Sequence, residues 1–176
     1  LITTKHGKSG KINITAKGET SYNTRTITPK FVDAYNYATL LNEARITRNL
    51  APQYQPEELE LIKSGLDPDF YPNVDWTNLL LKDGAMSYRA DINLNGGGNT
   101  ARYFASLAYV EDQGMYNTDE TLRKKYNTNA NYKRWNYRMN LDIDITPTTI
   151  LKLGISGNLN KRNSPGLGDQ YVWGEL

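Results

Sequence analysis

The sequence predicts an all-β fold: antiparallel strands of a transmembrane β-barrel, present in part, with short helices in one long external loop. Three observations predict it. The composition is polar, side chains alternate with period two over stretches about ten residues long, and the connections are alternately short and long. Among the 176 residues are 13 Tyr and 14 Gly, and the mean hydropathy is −0.68. Leu, Ile, Val and Phe are sparse. A soluble domain this polar has little with which to fill an interior, whereas a barrel wall needs only one apolar face per strand.

Charge and special residues exclude several classes. The 21 Lys and Arg against 19 Asp and Glu leave a net charge of +2, with no block of one sign, so no nucleic-acid partner is expected. The chain has no cysteine, which removes disulfides, thiolate metal sites and a cysteine nucleophile. No apolar run approaches the roughly twenty residues of a membrane helix. No signal peptide is visible, and Leu1-Ile2-Thr3-Thr4-Lys5 reads as a strand already under way. The chain is therefore expected to begin inside a larger protein.

The elements follow in order. Lys11 to Glu19 alternates weakly, with Ile12, Ile14 and Ala16 against Asn13, Thr15 and Lys17, and reads as a strand. Asp33 to Arg48 has Tyr37, Leu40, Leu41 and Ala44 at helical spacing, with Asp33 as N-cap. Pro56 to Ser64 opens on Pro and acidic residues and is stopped by Gly65, a second helix. Asp75 to Leu81 predicts a third helical turn capped by Asp75. These helices are expected in an external loop.

From Met86 onward the alternation is clear. Tyr88, Ala90, Ile92 and Leu94 oppose Ser87, Arg89, Asp91, Asn93 and Asn95. The run Gly96 to Thr100 has hairpin chemistry. Then Tyr103, Ala105, Leu107 and Tyr109 oppose Arg102, Phe104, Ser106, Ala108 and Val110, a weaker pattern. Trp135, Tyr137, Met139, Leu141 and Ile143 oppose Asn136, Arg138, Asn140, Asp142 and Asp144. After the turn at Thr146-Pro147-Thr148-Thr149, Leu151, Leu153, Ile155 and Leu159 oppose Lys152, Ser156, Asn158 and Asn160.

The polar face, rich in Asn, Asp, Arg and Ser, suits a hydrated lumen. On the apolar face Tyr88, Tyr109, Trp135 and Tyr137 gather near one strand end and Tyr103 near the other, the aromatic girdle of a barrel in lipid. The short connections lie near Gly97 and Pro147, and the long ones before Met86 and between Glu111 and Lys133. Short periplasmic turns and long external loops have this asymmetry, and the larger aromatic cluster falls at the long-loop end.

Candidate sites are few. His6 is the only histidine and has no second histidine to share a metal or catalytic role. Asp67, Asp69 and Asp75 are broken by Pro68, Phe70, Tyr71 and Pro72, so turn and cap roles are expected over calcium. The Gly96–Gly98 run lacks the helix and Lys of a phosphate loop. Glu57-Glu58 reads as a helix first turn. Asp142 and Asp144 share one strand face with Arg and Lys neighbours rather than forming a hydrolase pair. No nucleophile, base and orienting group come together, so no catalytic residue, metal or cofactor is expected. For ligand contact, aromatics on long loops are the candidates: Tyr54, Tyr71, Trp76, Tyr116, Tyr132 and Trp173. Arg89, Arg102, Arg138 and Asp142 are expected to face the lumen, the arginines bridging wall to plug or contacting an anionic substrate.

Several stretches resemble one family. Leu1-Ile2-Thr3-Thr4-Lys5-His6-Gly7-Lys8 is similar to the "ILITTKRGK" strand that leaves the plug domain in SusC/RagA-family TonB-dependent transporters. Tyr71-Pro72-Asn73-Val74-Asp75-Trp76 resembles the family's "YPNTDW". The run from Asn93 to Tyr109 resembles the "LSVSGGNEKTRYFVSLGY" hairpin. Glu111-Asp112-Gln113-Gly114 and Tyr137 to Asp142 resemble "NQEG" and "YNLRLNLD". The motifs come in order along essentially the whole chain. His6 in place of Arg, the added Gly98, and the loss of "HNLS" wording near Tyr88-Arg89 are departures of detail.

The resemblance implies a plug inside a large outer-membrane barrel that imports glycans or peptides. It implies a SusD-like surface lipoprotein as partner, and TonB acting through a plug and TonB box outside this chain. Residues 1–10 would then end the plug and 11–176 begin the barrel with its external loops, about five strands that cannot close alone and leave edges. The alternative is a soluble, surface-exposed β-rich glycan-binding module. It requires that Tyr88, Ile92, Leu94, Leu141 and Leu153 pack on a second protein layer.

Overall fold

The computed structural model describes residues 4–118, 127–166 and 171. They divide into two compact units: a β-sheet unit of Leu1–Thr24 with Lys82–Leu176, and a helical unit of Arg25–Leu81 inserted between its first two strands.

The sheet unit holds β1 (Gly10–Thr24), β2 (Gly84–Gly97), β3 (Ala101–Asp112), β4 (Tyr132–Thr146) and β5 (Thr149–Arg162). All five pair antiparallel in sequence order, so the sheet is an open meander with β1 and β5 at its edges. Its strands run 12 to 15 residues, longer than the ten or so read from the pattern. β1 extends past Glu19 to Thr24, where Gly18, Thr20 and Ser21 blur the alternation that Tyr22 resumes. β4 begins at Tyr132, ahead of Trp135.

Both hairpins are tight. Gly98 N donates to Ala101 O at 2.8 Å, and Thr146 faces Thr149 across the second turn. The β1–β2 and β3–β4 connections both leave the opposite end of the sheet. There the base of the β3–β4 connection is tied by asparagines. Asn131 Oδ1 accepts from Gly114 N at 3.0 Å, Asn129 Oδ1 from Tyr116 N at 3.2 Å, and Asn163 Nδ2 donates to the Asn127 and Asn129 carbonyls at 2.5 Å each. The alternation of short and long connections is thus present.

The helical unit contains α1 (Ala34–Ile46), α2 (Pro56–Ser64) and α3 (Trp76–Leu80). Each starts as its sequence requires. Asp33 Oδ1 accepts from Asn36 N at 2.7 Å, and Asp75 Oδ1 from Asn78 N at 3.0 Å. Glu58 reaches back to Gln55 N at 2.7 Å in a capping box, and Gly65 closes α2 in the left-handed conformation at φ 64°, where a side chain would be strained. The unit's centre is polar as well as apolar. Buried Asn42 accepts from Gln53 N and Tyr54 N at 2.7 and 3.0 Å and donates to Tyr54 O at 2.8 Å.

Candidate functional site: the polar face and its N-terminal strap

The strand registers sort every side chain onto one of two faces. Thr15, Asn93, Ser106, Arg138 and Ser156 form one cross-strand row, and the next row along holds Ile14, Leu94, Ala105, Met139 and Ile155. Arg89, Arg102, Arg138 and Asp142 fall on the polar face together, as the alternation predicts.

That face carries a strap. Residues 4–8 cross β4, β3 and β2 in turn and lead into β1 at the short-turn end. Lys8 N donates to Asn95 Oδ1 at 3.0 Å. Asn140 Nδ2 donates to Lys5 O at 2.6 Å and to Thr4 Oγ1 at 3.2 Å. His6 Nδ1 donates to the Asp142 carboxylate, 3.1 Å from each oxygen. Gly7 sits so close to β3 that a Cβ would collide with the Arg102–Tyr103 backbone. A residue without a side chain is needed at that crossing.

The strap explains an anomaly. Phe104 stands on the polar face, yet it is buried at 8% exposure. Its two cross-strand partners are Asn95 and Asn140, the side chains that hold the strap. The ring is therefore covered by residues 4–8, and the weak alternation of β3 marks the docking position. Asn140 and Asp142 are buried beside it and hydrogen-bonded, as buried polar groups must be.

The arginines do not bridge wall to strap. Arg102 makes a two-pronged pair with Asp144 of the neighbouring strand, both contacts 2.7 Å, the planar fork matching the carboxylate. The side-chain contact between wall and strap is instead the His6–Asp142 hydrogen bond, Arg102 being held by Asp144 within the sheet. Arg89 lies across from Glu19. Arg138 has no hydrogen-bond or ion-pair partner among the described residues.

The opposite face is apolar and largely bare. Ile92, Leu107, Tyr137, Met139, Leu153 and Ile155 are all exposed. Tyr109 and Trp135 oppose each other with ring centroids 4.4 Å apart, and Tyr22 and Tyr88 lie at the same, long-connection end. Tyr103 lies at the other end, opposite Gly96, and Tyr137 opposite Gly157. Each ring lies over its glycine, since a Cβ there would strike the phenol, a cross-strand pairing that packs aromatic area where a strand has none. Past the aromatic rows stand Glu111 and Lys133, paired at 2.9 Å, with the Tyr109 hydroxyl donating to Glu111 at 2.5 Å. From Trp135 to Ile143 a strand covers about 26 Å, or about 20 Å along the membrane normal at the usual tilt, close to the ~25 Å apolar band of a barrel.

The loop aromatics fall in both units. Tyr54, Tyr71 and Trp76 belong to the helical unit, with Trp76 half exposed. Tyr116 belongs to the sheet unit, at the base of the β3–β4 connection. Tyr132 is not a loop residue: it opens β4, and its hydroxyl donates to Asn160 at 3.2 Å. The polar face on which it falls continues the alternation of β4 three residues earlier than Trp135. Trp173 lies outside the described residues. Asp67 and Asp75 act in turn and cap, Asp67 accepting from Phe70 N at 3.4 Å, and no group of three metal-ligating side chains occurs among the described residues. No helix among them is long and apolar enough to cross a membrane.

No known protein-family profile matches the chain. In sequence it is similar to a TonB-dependent receptor of Formosa agariphila, 28% identical over 161 residues, 90% of this chain and 14% of that protein. In fold it is similar to the RagAB peptide transporter, with TM-score 0.64 at 20% identity, covering 92% of this chain and 19% of the other. The RagAB peptide importer gives TM-scores of 0.60 in its open-open state and 0.59 in its closed-closed state, at 20% and 22% identity, covering 92% and 93% of this chain and 19% of each. The chain thus spans only 14 to 19% of the length of these relatives. Their names are those of receptors and transporters, not of enzymes. The resemblance read from the sequence therefore holds: in sequence and in fold this chain is like a SusC/RagA-type TonB-dependent receptor of the outer membrane, with antiparallel strands of a partial barrel wall.

Proposed function

We propose that this chain supplies part of the wall and external loops of a transporter that imports oligosaccharides or peptides across the outer membrane, driven through TonB. One observation carries the reading. The face bearing Ile92, Leu107, Met139, Leu153 and Ile155 leaves these side chains exposed across β2 to β5, a large apolar surface suited to lipid. The soluble-module alternative needs a second layer on that face, and the exposed side chains speak against one.

In this reading residues 1–10 end the plug and 11–176 begin the barrel. The strap docks on the lumen side and leads into β1 at the short-turn, periplasmic end, and the Tyr109–Trp135 cluster sits at the outer headgroup level. The helical unit and the β3–β4 connection are external, where Tyr54, Tyr71, Trp76 and Tyr116 are available to stack on a sugar or peptide, and where a SusD-like surface lipoprotein is the expected partner. Membrane fractionation of the full-length protein tests this directly. Recovery in the outer-membrane fraction, with a lipoprotein co-purifying, is expected; recovery from the periplasm as a soluble protein defeats it.

A further inference from the structure

The polar face holds a cavity of about 510 Å³ beside the strap, and its charge is one-sided. Lys5 of the strap and Arg134 and Arg138 of β4 line it, together with the amides Asn93, Asn136 and Asn158. No carboxylate among the described residues lines it. Three cations elsewhere on the sheet are paired with acids, Lys17 with Glu19, Arg102 with Asp144 and Lys133 with Glu111; the three that line the cavity have no acid partner among the described residues. Arg134 Nε donates to the neutral amide of Asn136 at 2.7 Å, which orients the guanidinium without neutralising it. Arg138 and the Lys5 ammonium have no partner among the described residues.

Arg134 and Arg138 are four residues apart on one strand face, so their forks flank Asn136 along a single edge of the cavity. Planar guanidinium groups recognise carboxylates by paired hydrogen bonds, and the amides add donors that a carboxylate accepts. Phe104, under the strap, supplies an apolar wall. From this arrangement we infer that the cavity is a carboxylate-binding subsite on the lumen wall, taking a solute that carries acidic groups along its path. The inference rests on the transport reading and narrows it toward acidic cargo, whether a peptide with carboxylate side chains or an oligosaccharide built of uronic acids.

The test uses the purified full-length protein in detergent and four probes: pentaglutamate, pentaglutamine, trigalacturonate and a neutral trisaccharide. Calorimetric titration of the wild type is expected to show binding of at least one acidic probe in preference to its neutral counterpart, and which one binds distinguishes the two sources of carboxylate. The double variant Arg134→Gln, Arg138→Gln is expected to lose that binding by about tenfold to a hundredfold, the size of losing charge-assisted hydrogen bonds. Any neutral-probe binding should remain as in the wild type. Heat-modifiable migration on gels verifies that the variant barrel is folded, and Arg138→Lys should recover part of the affinity. Equal affinity for acidic and neutral probes in the wild type overturns the subsite, as does acidic-probe affinity unchanged in the folded double variant. Fractionation of the same protein to the outer membrane separates failure of the subsite from failure of the transporter reading.

Discussion

The sheet unit and the helical unit are stabilised in opposite ways. The sheet is a ladder with one largely exposed apolar face, which the proposed barrel gives to lipid, and a polar face organised by contacts to the strap. The helical unit keeps its contacts local, with caps at each helix start and Asn42 closing the 53–54 turn. The sheet therefore tolerates polar change on one face and not the other, whereas the helical unit depends on single hydrogen-bonding groups.

Substitutions on adjacent residues of β1 give the largest expected contrast. Ile14→Arg places a charge on the central apolar row and is expected to lower the stability of the full-length protein, refolded in lipid vesicles, by about 2–4 kcal/mol. Thr15→Arg, one residue along and on the polar face, should leave the urea midpoint almost unchanged. Equal effects would break the assignment of faces. In the helical unit, Asn42→Ala removes the acceptor of the part-buried Gln53 and Tyr54 amides and should cost about 0.5–1.5 kcal/mol. Hydrogen exchange should quicken around residues 51–55 while sheet amides keep their protection. If the sheet amides exchange faster too, the two units are not independent in stability. The smallest effect is expected at Asp33→Ala, about 1 kcal/mol from losing the N-cap, seen as fraying of the first turn of α1 by the same exchange measurement.

Much of this architecture is legible from local chemistry. Pro56 and Gly65 fix α2, Asp33 and Asp75 place their helix starts, and glycine and proline mark both hairpins, because each acts within a few residues of itself. The period-two pattern likewise assigns the faces of Arg89, Arg102, Arg138 and Asp142 correctly. Strand ends are less legible, since Thr20, Ser21 and Tyr132 fit a strand or a loop equally well. What distant residues decide is not legible at all. That Arg102 pairs with Asp144 in preference to the strap depends on the β3–β4 register, and that Phe104 is covered depends on a segment nearly a hundred positions upstream. Arg134 is not legible as a site residue, because it lies one position ahead of the alternation that Trp135 opens. Its one available signal was the recurrence of Arg134 and Arg138 on a single strand face, with no acid between them.

The strap also constrains the order of assembly. Every strand pairs with its neighbour in sequence, so the meander can zip from hairpin to hairpin, but His6 meets Asp142 across a separation of 136 residues. Non-local contacts of this kind form late and slowly. Until residues 4–8 arrive, Phe104 is uncovered and Asn140 lacks its strap partners. Once a wall of this kind has curled shut, its inner surface is reachable only through the openings. In the proposed barrel, residues 4–8 must therefore dock while the sheet is still open, which makes them a template for closure and not a cork added afterwards.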